Sequence, residues 1–500
     1  MKVKQELKEN TRGQQKHKAM EQDPIWRLLF RFSGPAIISM TVASSYSLVD
    51  AMFVGRLGPT ALAAMSVTYP LVLSFVAIAS GTGVGVTSLI SRSLGAGDHE
   101  RADRTASVAI TLCFLLSSII AILCLPNLDG ILRMLGARDS VLPLARSYMS
   151  ILIIFTIFSY LSLIISNIIR SDGNPIFSST VAIFSAVINI ILDPVFIFGF
   201  GPVPSMGIEG AAIATVISQA IGTAIYIFFI LSGRTAYRFR LSYFLPRLKI
   251  ISGIYRVGTA SIVRSGAQFV VMGVINNTAA SFGVIPLAIM GVLVRAGRFI
   301  QMPILGIGQG MLPLLGYNYG ARKKNRISEL VFKTGLAGSI WASICWLAII
   351  LFPAQVMSAF STQKEFLLEG EQAIRLYSLA FFSLGIRMVP SFFFQGIGKG
   401  FPATVLTAAQ NIAFLLPLIL ILPNYFGLTG MWIALPIADA LALLLGLFWI
   451  TFEFRKQEIG LYWWKTEWVY QISPKGRETL KRAKEKVREL FRERFESYWK

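Results

Sequence analysis

Two carboxylates stand in stretches otherwise built to exclude water. Asp50 closes the run Ser44-Ser45-Tyr46-Ser47-Leu48-Val49-Asp50, and Asp193 lies in Asn189-Ile190-Ile191-Leu192-Asp193-Pro194. An ionisable group in an apolar spanning helix costs a few kcal/mol or more, so each needs a reason. Asn189 and Asp193 are four residues apart and share one helix face. Pro194 follows directly and frees a backbone carbonyl nearby. Thr215 and Gln219, also four apart, place polar groups on one face of another apolar stretch. If the three segments meet, the result is a carboxylate pair with amide and hydroxyl neighbours. Such a set can hold and release H+, or ligate a hard cation such as Na+ through oxygen, with Asp50, Asn189, Asp193 and Thr215 as the ligands. A capped helix end for Asp50 and a proline-associated kink for Asp193 are the competing structural readings.

The second half of the chain carries the opposite charge. Arg264, Arg295, Arg298 and Arg387 fall in apolar stretches, with Asp439 as the carboxylate among them. Two readings stand: the arginines snorkel or pair with Asp439 and carbonyls, or they form a cationic cavity for an anionic group on a substrate. Tyr46, Gln219, Arg264, Gln268, Arg298 and Arg387 are the candidate substrate-cavity residues. Pro35, in Ser33-Gly34-Pro35, sits inside the first apolar stretch and permits a bend there. Cys113, Cys124 and Cys345 show no disulfide or metal spacing, and the only histidines, His17 and His99, lie in polar segments. Metal and histidine catalysis are not indicated.

The elements that must position these groups are membrane helices. The 500 residues are 54% apolar and 15% charged, too few charges for a soluble protein of this length. Twelve stretches reach the roughly 20 residues needed to cross the hydrocarbon. They lie near 28–54, 61–90, 105–126, 141–169, 176–200, 208–232, 252–278, 284–315, 329–352, 372–397, 402–422 and 429–453. The expected fold is an all-α membrane protein of twelve transmembrane helices in two six-helix bundles. The divisions are an N-terminal segment over 1–27, a first bundle over 28–232, a basic linker over 233–251, a second bundle over 252–455 and a basic tail over 456–500.

Internal repetition supports two halves of one design. Residues 81–102, GTGVGVTSLISRSLGAGDHERA, resemble residues 306–327, GIGQGMLPLLGYNYGARKKNRI. Asp172-Gly173-Asn174-Pro175 lines up with Lys399-Gly400-Phe401-Pro402, and Gly207-Ile208-Glu209-Gly210 with Gly427-Leu428-Thr429-Gly430. Six helices separate the copies, so they are parallel repeats. Basic residues collect in alternate loops, which by the positive-inside rule places both termini in the cytoplasm. The net charge of +21 then reads as topology and contact with anionic lipid, not as a nucleic-acid surface. In the tail, Leu480, Ala483, Val487, Leu490, Phe491, Phe495 and Trp499 recur at helical spacing between charges. They predict an amphipathic helix on the inner leaflet, or one folded back on the protein or bound to a partner.

Several of these motifs together resemble the MATE (multidrug and toxic compound extrusion) family over roughly residues 24–455. Leu48 through Gly58 resembles the family's end of helix 1. Asn189 through Pro194 and Gly210-Ala211-Ala212-Ile213-Ala214-Thr215 resemble its helices 5 and 6. Met302 through Gly310 and Gly316-Tyr317-Asn318-Tyr319-Gly320-Ala321 resemble the second-half motif of its DinF- and MepA-like prokaryotic branch. The resemblance implies two bundles enclosing a central V-shaped cavity, with alternating access driven by H+ or Na+. It places the cation site on Asp50, Asn189, Asp193 and Thr215, and the bending proline at Pro35. Where some members carry acidic residues in helices 7 and 10, this chain has Gln268 and Arg387, with Arg264 close by.

The expectation is therefore a secondary antiporter in a prokaryotic cytoplasmic membrane. It exports an amphipathic organic compound against H+ or Na+, as a monomer among membrane lipids, with no cofactor, no enzymatic activity and no nucleic-acid partner. Asp193 is expected to be the main coupling residue, with Asp50 its partner. The alternative is a flippase of an anionic lipid-linked precursor that uses the arginines as its head-group site. A membrane receptor or scaffold recruiting a partner through the tail is a third reading.

Overall fold

The computed structural model describes residues 19–460, apart from Asp139, Ala359 and Thr362. The amphipathic tail helix expected beyond residue 460 and the first eighteen residues lie outside the described residues.

The chain is all-helical. The first half runs through α1 (Ile25–Gly55), α2 (Pro59–Gly95), α3 (His99–Cys124), the short α4 (Leu128–Met134), α5 (Val141–Ile154), α6 (Thr156–Ser171), α7 (Pro175–Phe198) and α8 (Gly207–Leu231). The second half follows with α9 (Leu248–Ser281), α10 (Val284–Gly320), α11 (Lys324–Leu351), the short α12 (Pro353–Ser358), α13 (Lys364–Tyr377), α14 (Leu384–Gly396), α15 (Gly400–Ala408) and α16 (Leu416–Lys456). Among the described residues, nine helical stretches are long and apolar enough to cross a membrane, and α5 with α6, bent by 48° at Phe155, makes a tenth. Two passes complete the twelve. One is α1, less apolar through its serine- and threonine-bearing middle. The other comes from the break inside Gly400–Lys456, where Gly427 leaves helical geometry at φ 56.

Glycines record the repetition in the backbone. Gly207 and Gly427 have φ 55 and 56, in the left-handed region that glycine enters without strain. Three residues later, a Cβ on Gly210 would lie 2.4 Å from the carbonyl oxygen of Phe196, and one on Gly430 would lie 2.3 Å from that of Leu422. The register of one expected pair is corrected. Gly173 and Gly398, at φ 83 and 82, are the equivalent turn residues. Asn174 therefore matches Lys399 and Pro175 matches Gly400, two residues from the match expected from sequence. The backbone turn, closed by Asn174 N–H to Ile169 O and Lys399 N–H to Phe394 O, fixes this register where the Gly-x-Pro spelling misleads.

The two bundles meet where α1 packs on α10 and α2 on α9. Small residues permit the contact. A Cβ on Gly306 would fall 2.9 Å from the Ile37 α-carbon, and one on Gly310 would fall 2.7 Å from the Ser33 nitrogen. The Ser33 hydroxyl donates across this crossing to Ile307 O at 3.3 Å. Pro35 thus sits inside α1 at the inter-bundle contact. It lacks an N–H, so the Arg31 carbonyl loses its usual helical donor. Farther along, Arg170 on α6, buried, donates to Gln309 Oε1 on α10 at 2.6 Å.

Candidate functional site

The close approach at Gly210 draws the start of α8 against the end of α7, and α1 packs along α7. Asp50, Asn189, Asp193 and Thr215 are brought together as a result. Asn189 Nδ2 donates to Asp193 Oδ1 at 3.2 Å and reaches Thr215 Oγ1 at 3.4 Å. Asp50, Asn189 and Asp193 are all buried, Asp193 completely. Asp193 lies within electrostatic reach of Asp50, and Tyr46 and Tyr148 lie within reach of both.

Three oxygens of this cluster, Asp50 Oδ1, Asn189 Oδ1 and Asp193 Oδ2, are buried and have no hydrogen-bond partner. Buried polar atoms are nearly always satisfied, so three unsatisfied acceptors in one cluster call for a donor or a cation. Pro194 adds to the acceptor surplus, because the Ile190 carbonyl loses its intrahelical N–H. Two carboxylates with amide, hydroxyl and carbonyl oxygens can take up H+ or hold a hard monovalent cation. Gln219 lies one turn beyond Thr215 on α8 and accepts a hydrogen bond from Ser159.

The second half holds a separate cavity of about 400 Å³. Arg264, Gln268, Arg298 and Arg387 line it, whereas Tyr46, Gln219 and Arg295 do not. Asp439 on α16 faces the same space, and its Oδ1 lies 3.6 Å from Arg387 Nε and accepts from Gln410 Nε2 at 3.0 Å. Three arginines and one carboxylate therefore share the cavity, and of the three only Arg387 is placed against Asp439. Sequence reasoning missed Tyr69, which reaches this cavity from the first half, and Gln301, Gln410 and Asn411. The adjacent amides Gln410-Asn411 in an apolar stretch were the available signal. They stand on a π-helical turn, Ala409–Leu415, between α15 and α16, and such turns often mark functional positions.

Twelve helical passes in two repeated bundles, most of them apolar and each bundle with polar groups sealed inside, define a multi-pass membrane transporter, not an enzyme. The MatE family model matches residues 35–195 and 260–421, and the chain belongs to that family. It is 27% identical over 429 residues to the multidrug export protein MepA of Staphylococcus aureus (strain MSSA476), covering 85% of this chain and 93% of the relative. The MepA of Staphylococcus haemolyticus (strain JCSC1435) matches at the same identity over 86% and 94%. Among solved structures, a MATE in the bent conformation superposes with a TM-score of 0.83 at 27% identity, over 89% of this chain and 98% of that one. A MOP superfamily transporter from Pyrococcus furiosus, whose binding pocket is described as of reverse polarity suggesting a different function, superposes with a TM-score of 0.82 at 26% identity over 88% and 98%.

Proposed function

We propose that this protein is a cation-coupled antiporter that exports amphipathic organic compounds across a prokaryotic cytoplasmic membrane by alternating access. The observation that carries the reading is the buried cluster of unsatisfied oxygens on Asp50, Asn189 and Asp193. Their need for H+ or Na+ supplies a coupling step, in which binding of the cation relieves the repulsion between the two carboxylates. Thr215 and Asn189 orient the carboxylates, and Pro35 lets α1, which bears Asp50, change its bend at the contact with α10. The similarity to multidrug export proteins supports the substrate class. Both termini are cytoplasmic in this reading, the protein acts as a monomer, and the coupling ion is H+ or Na+.

The test is efflux of ethidium from proteoliposomes under a pH gradient and a Na+ gradient imposed separately, comparing the native protein with Asp193→Asn. Gradient-driven efflux that the substitution abolishes supports the reading and names the ion. Absence of efflux under both gradients, from protein verified as folded, counts against it.

One observation favours a second reading. The cavity of the second half sets Arg264, Arg298 and Arg387 against the single carboxylate of Asp439. An excess of guanidinium groups suits a phosphate or carboxylate on the transported molecule, and the Pyrococcus furiosus neighbour is described in terms of pocket polarity. A flippase of an anionic lipid-linked precursor is the corresponding function. Neutralising the three arginines should abolish transport in that case, and should shift substrate preference in the first.

A further inference from the structure

A second basic cavity, remote from Asp193 and from Arg387, lies where the C-terminal ends of α2 and α10 cross. A Cβ on Gly95 would fall 1.9 Å from the Tyr317 carbonyl oxygen, and one on Gly320 would fall 2.2 Å from that of Arg92. The two backbones therefore touch, and the chains that leave them for α3 and α11 frame a cavity of about 430 Å³. Arg92 and Arg101 line it from the first half, and Arg322 and Lys324 from the second. Its one acidic lining residue, Asp98, is engaged as the cap of α3, accepting the Arg101 backbone N–H at 3.0 Å. Lys324 pairs with Glu458 at 3.2 Å, but that glutamate is 86% exposed, so the pair is screened. Two further cations, Arg101 and Arg256, lie within electrostatic reach of Arg92, as does the Tyr319 hydroxyl. Its guanidinium is held in place by a 3.0 Å bond from Nε to Ser88 O and by Gly398, where a Cβ would lie 2.0 Å from Nη1.

Arg322 adds an independent observation. The turns after α2 and α10 carry the same hydrogen bonds: Asp98 N–H to Ser93 O and Lys323 N–H to Asn318 O, both 2.9 Å. The equivalent residues just before them are left-handed in both copies, Gly97 at φ 76 and Arg322 at φ 57. Glycine takes this conformation freely, whereas arginine is strained in it. The second copy thus accepts backbone strain at a turn position whose arginine lines the cavity. Strain kept at such a place points to a use for the side chain.

We propose that this junction binds a phosphate group, either on a lipid headgroup or free in solution, with Arg92, Arg101 and Arg322 as its donors. Guanidinium forks match phosphate oxygens in charge and shape. Residues 1–18 and 461–500 are themselves net basic, which favours a separate anion as the occupant. Both bundles contribute arginines, so the bound group holds them together at this end. That consequence for transport rests on the antiporter reading; the binding does not.

The experiment is thermal unfolding of the full chain in neutral detergent at constant ionic strength, titrated with inorganic phosphate or with dioctanoyl phosphatidic acid. Dioctanoyl phosphatidylcholine is the lipid control. A ligand that binds only the folded state raises the unfolding temperature saturably. Arg101→Gln with Arg322→Gln should raise the half-saturating concentration at least about tenfold, since hydrogen bonds to charged groups are lost. The same double neutralisation in the exposed linker, Arg234→Gln with Arg247→Gln, should leave it unchanged. Arg322→Gly restores the residue type of the first copy and tests the site in a variant whose backbone is relaxed. A response to phosphatidic acid alone identifies a lipid headgroup, and a response to inorganic phosphate identifies a free anion. No saturable response to either, or an equal loss in the junction and linker variants, overturns the proposal.

Discussion

Arg387 Nε stands 3.6 Å from Asp439 Oδ1 yet makes no hydrogen bond, although both side chains are nearly sealed from solvent. The attraction is therefore Coulombic without the closed fork that makes arginine–carboxylate pairs strong. Gln410 holds the carboxylate from the other side at 3.0 Å. Nε is thus left without a hydrogen-bond acceptor inside the protein, although Arg387 lines the cavity.

Removing one member of a buried pair leaves the other charge uncompensated, which is strongly destabilising. Asp439→Asn should lower stability by about 3 kcal/mol, read from unfolding in mixed detergent. Arg387→Met combined with Asp439→Leu should cost less than Asp439→Asn alone. A double variant that loses the sum of both single losses would show that the two charges do not act as a pair.

Close packing at the crossing of α2 and α10 has its own signature. Gly320→Ala puts a Cβ 2.2 Å from a carbonyl oxygen that cannot retreat without moving α2. Overpacking of this kind costs about 1–3 kcal/mol. Gly266→Ala on α9, where a Cβ meets nothing within 4 Å, should leave the unfolding midpoint unchanged or raise it slightly, since alanine favours the helix. Equal responses of the two variants would mean that the crossing is not tightly held.

Much of this was legible because membrane helices impose simple rules. Four-residue spacing put Asn189 and Asp193 on one face, and apolar length marked the passes. The repeated Gly-Ala turns announced two halves. What escaped depends on helix phase and backbone detail. Arg295 and Arg298 are one turn apart, yet only Arg298 reaches the cavity, because three residues leave about 60° of rotation between their directions. The bend at Phe155 and the π-turn at Ala409–Leu415 have no proline at their centre to betray them. The basic junction cavity joins residues more than 200 positions apart, and Arg322 reads as an ordinary loop charge until its φ is known.

The carboxylate cluster separates coupling from folding. Asp193→Asn removes one of two neighbouring buried charges, so the variant should be at least as stable as the native protein while coupled efflux falls at least tenfold. Asn189→Leu takes away the 3.2 Å donor to Asp193 Oδ1. It leaves another buried acceptor unsatisfied and should cost about 1–3 kcal/mol. Unfolding curves of both variants, run beside the efflux assay, decide this; a destabilised Asp193→Asn would make the carboxylate a structural group.

Arg322→Gly sets the strain at the junction against its use. Relaxing a left-handed arginine to glycine recovers roughly 1 kcal/mol of backbone strain, part of which is returned through the greater freedom of glycine in the unfolded chain. Without phosphate the variant should therefore be equal to or slightly more stable than the native protein. With saturating phosphate the order should reverse, because the variant has lost one of three guanidinium donors. Such a crossing is the mark of a residue kept for binding at some expense of stability. A variant less stable than the native protein in both conditions would instead assign Arg322 to packing, since the exposed side chain would then be holding the turn and not a ligand.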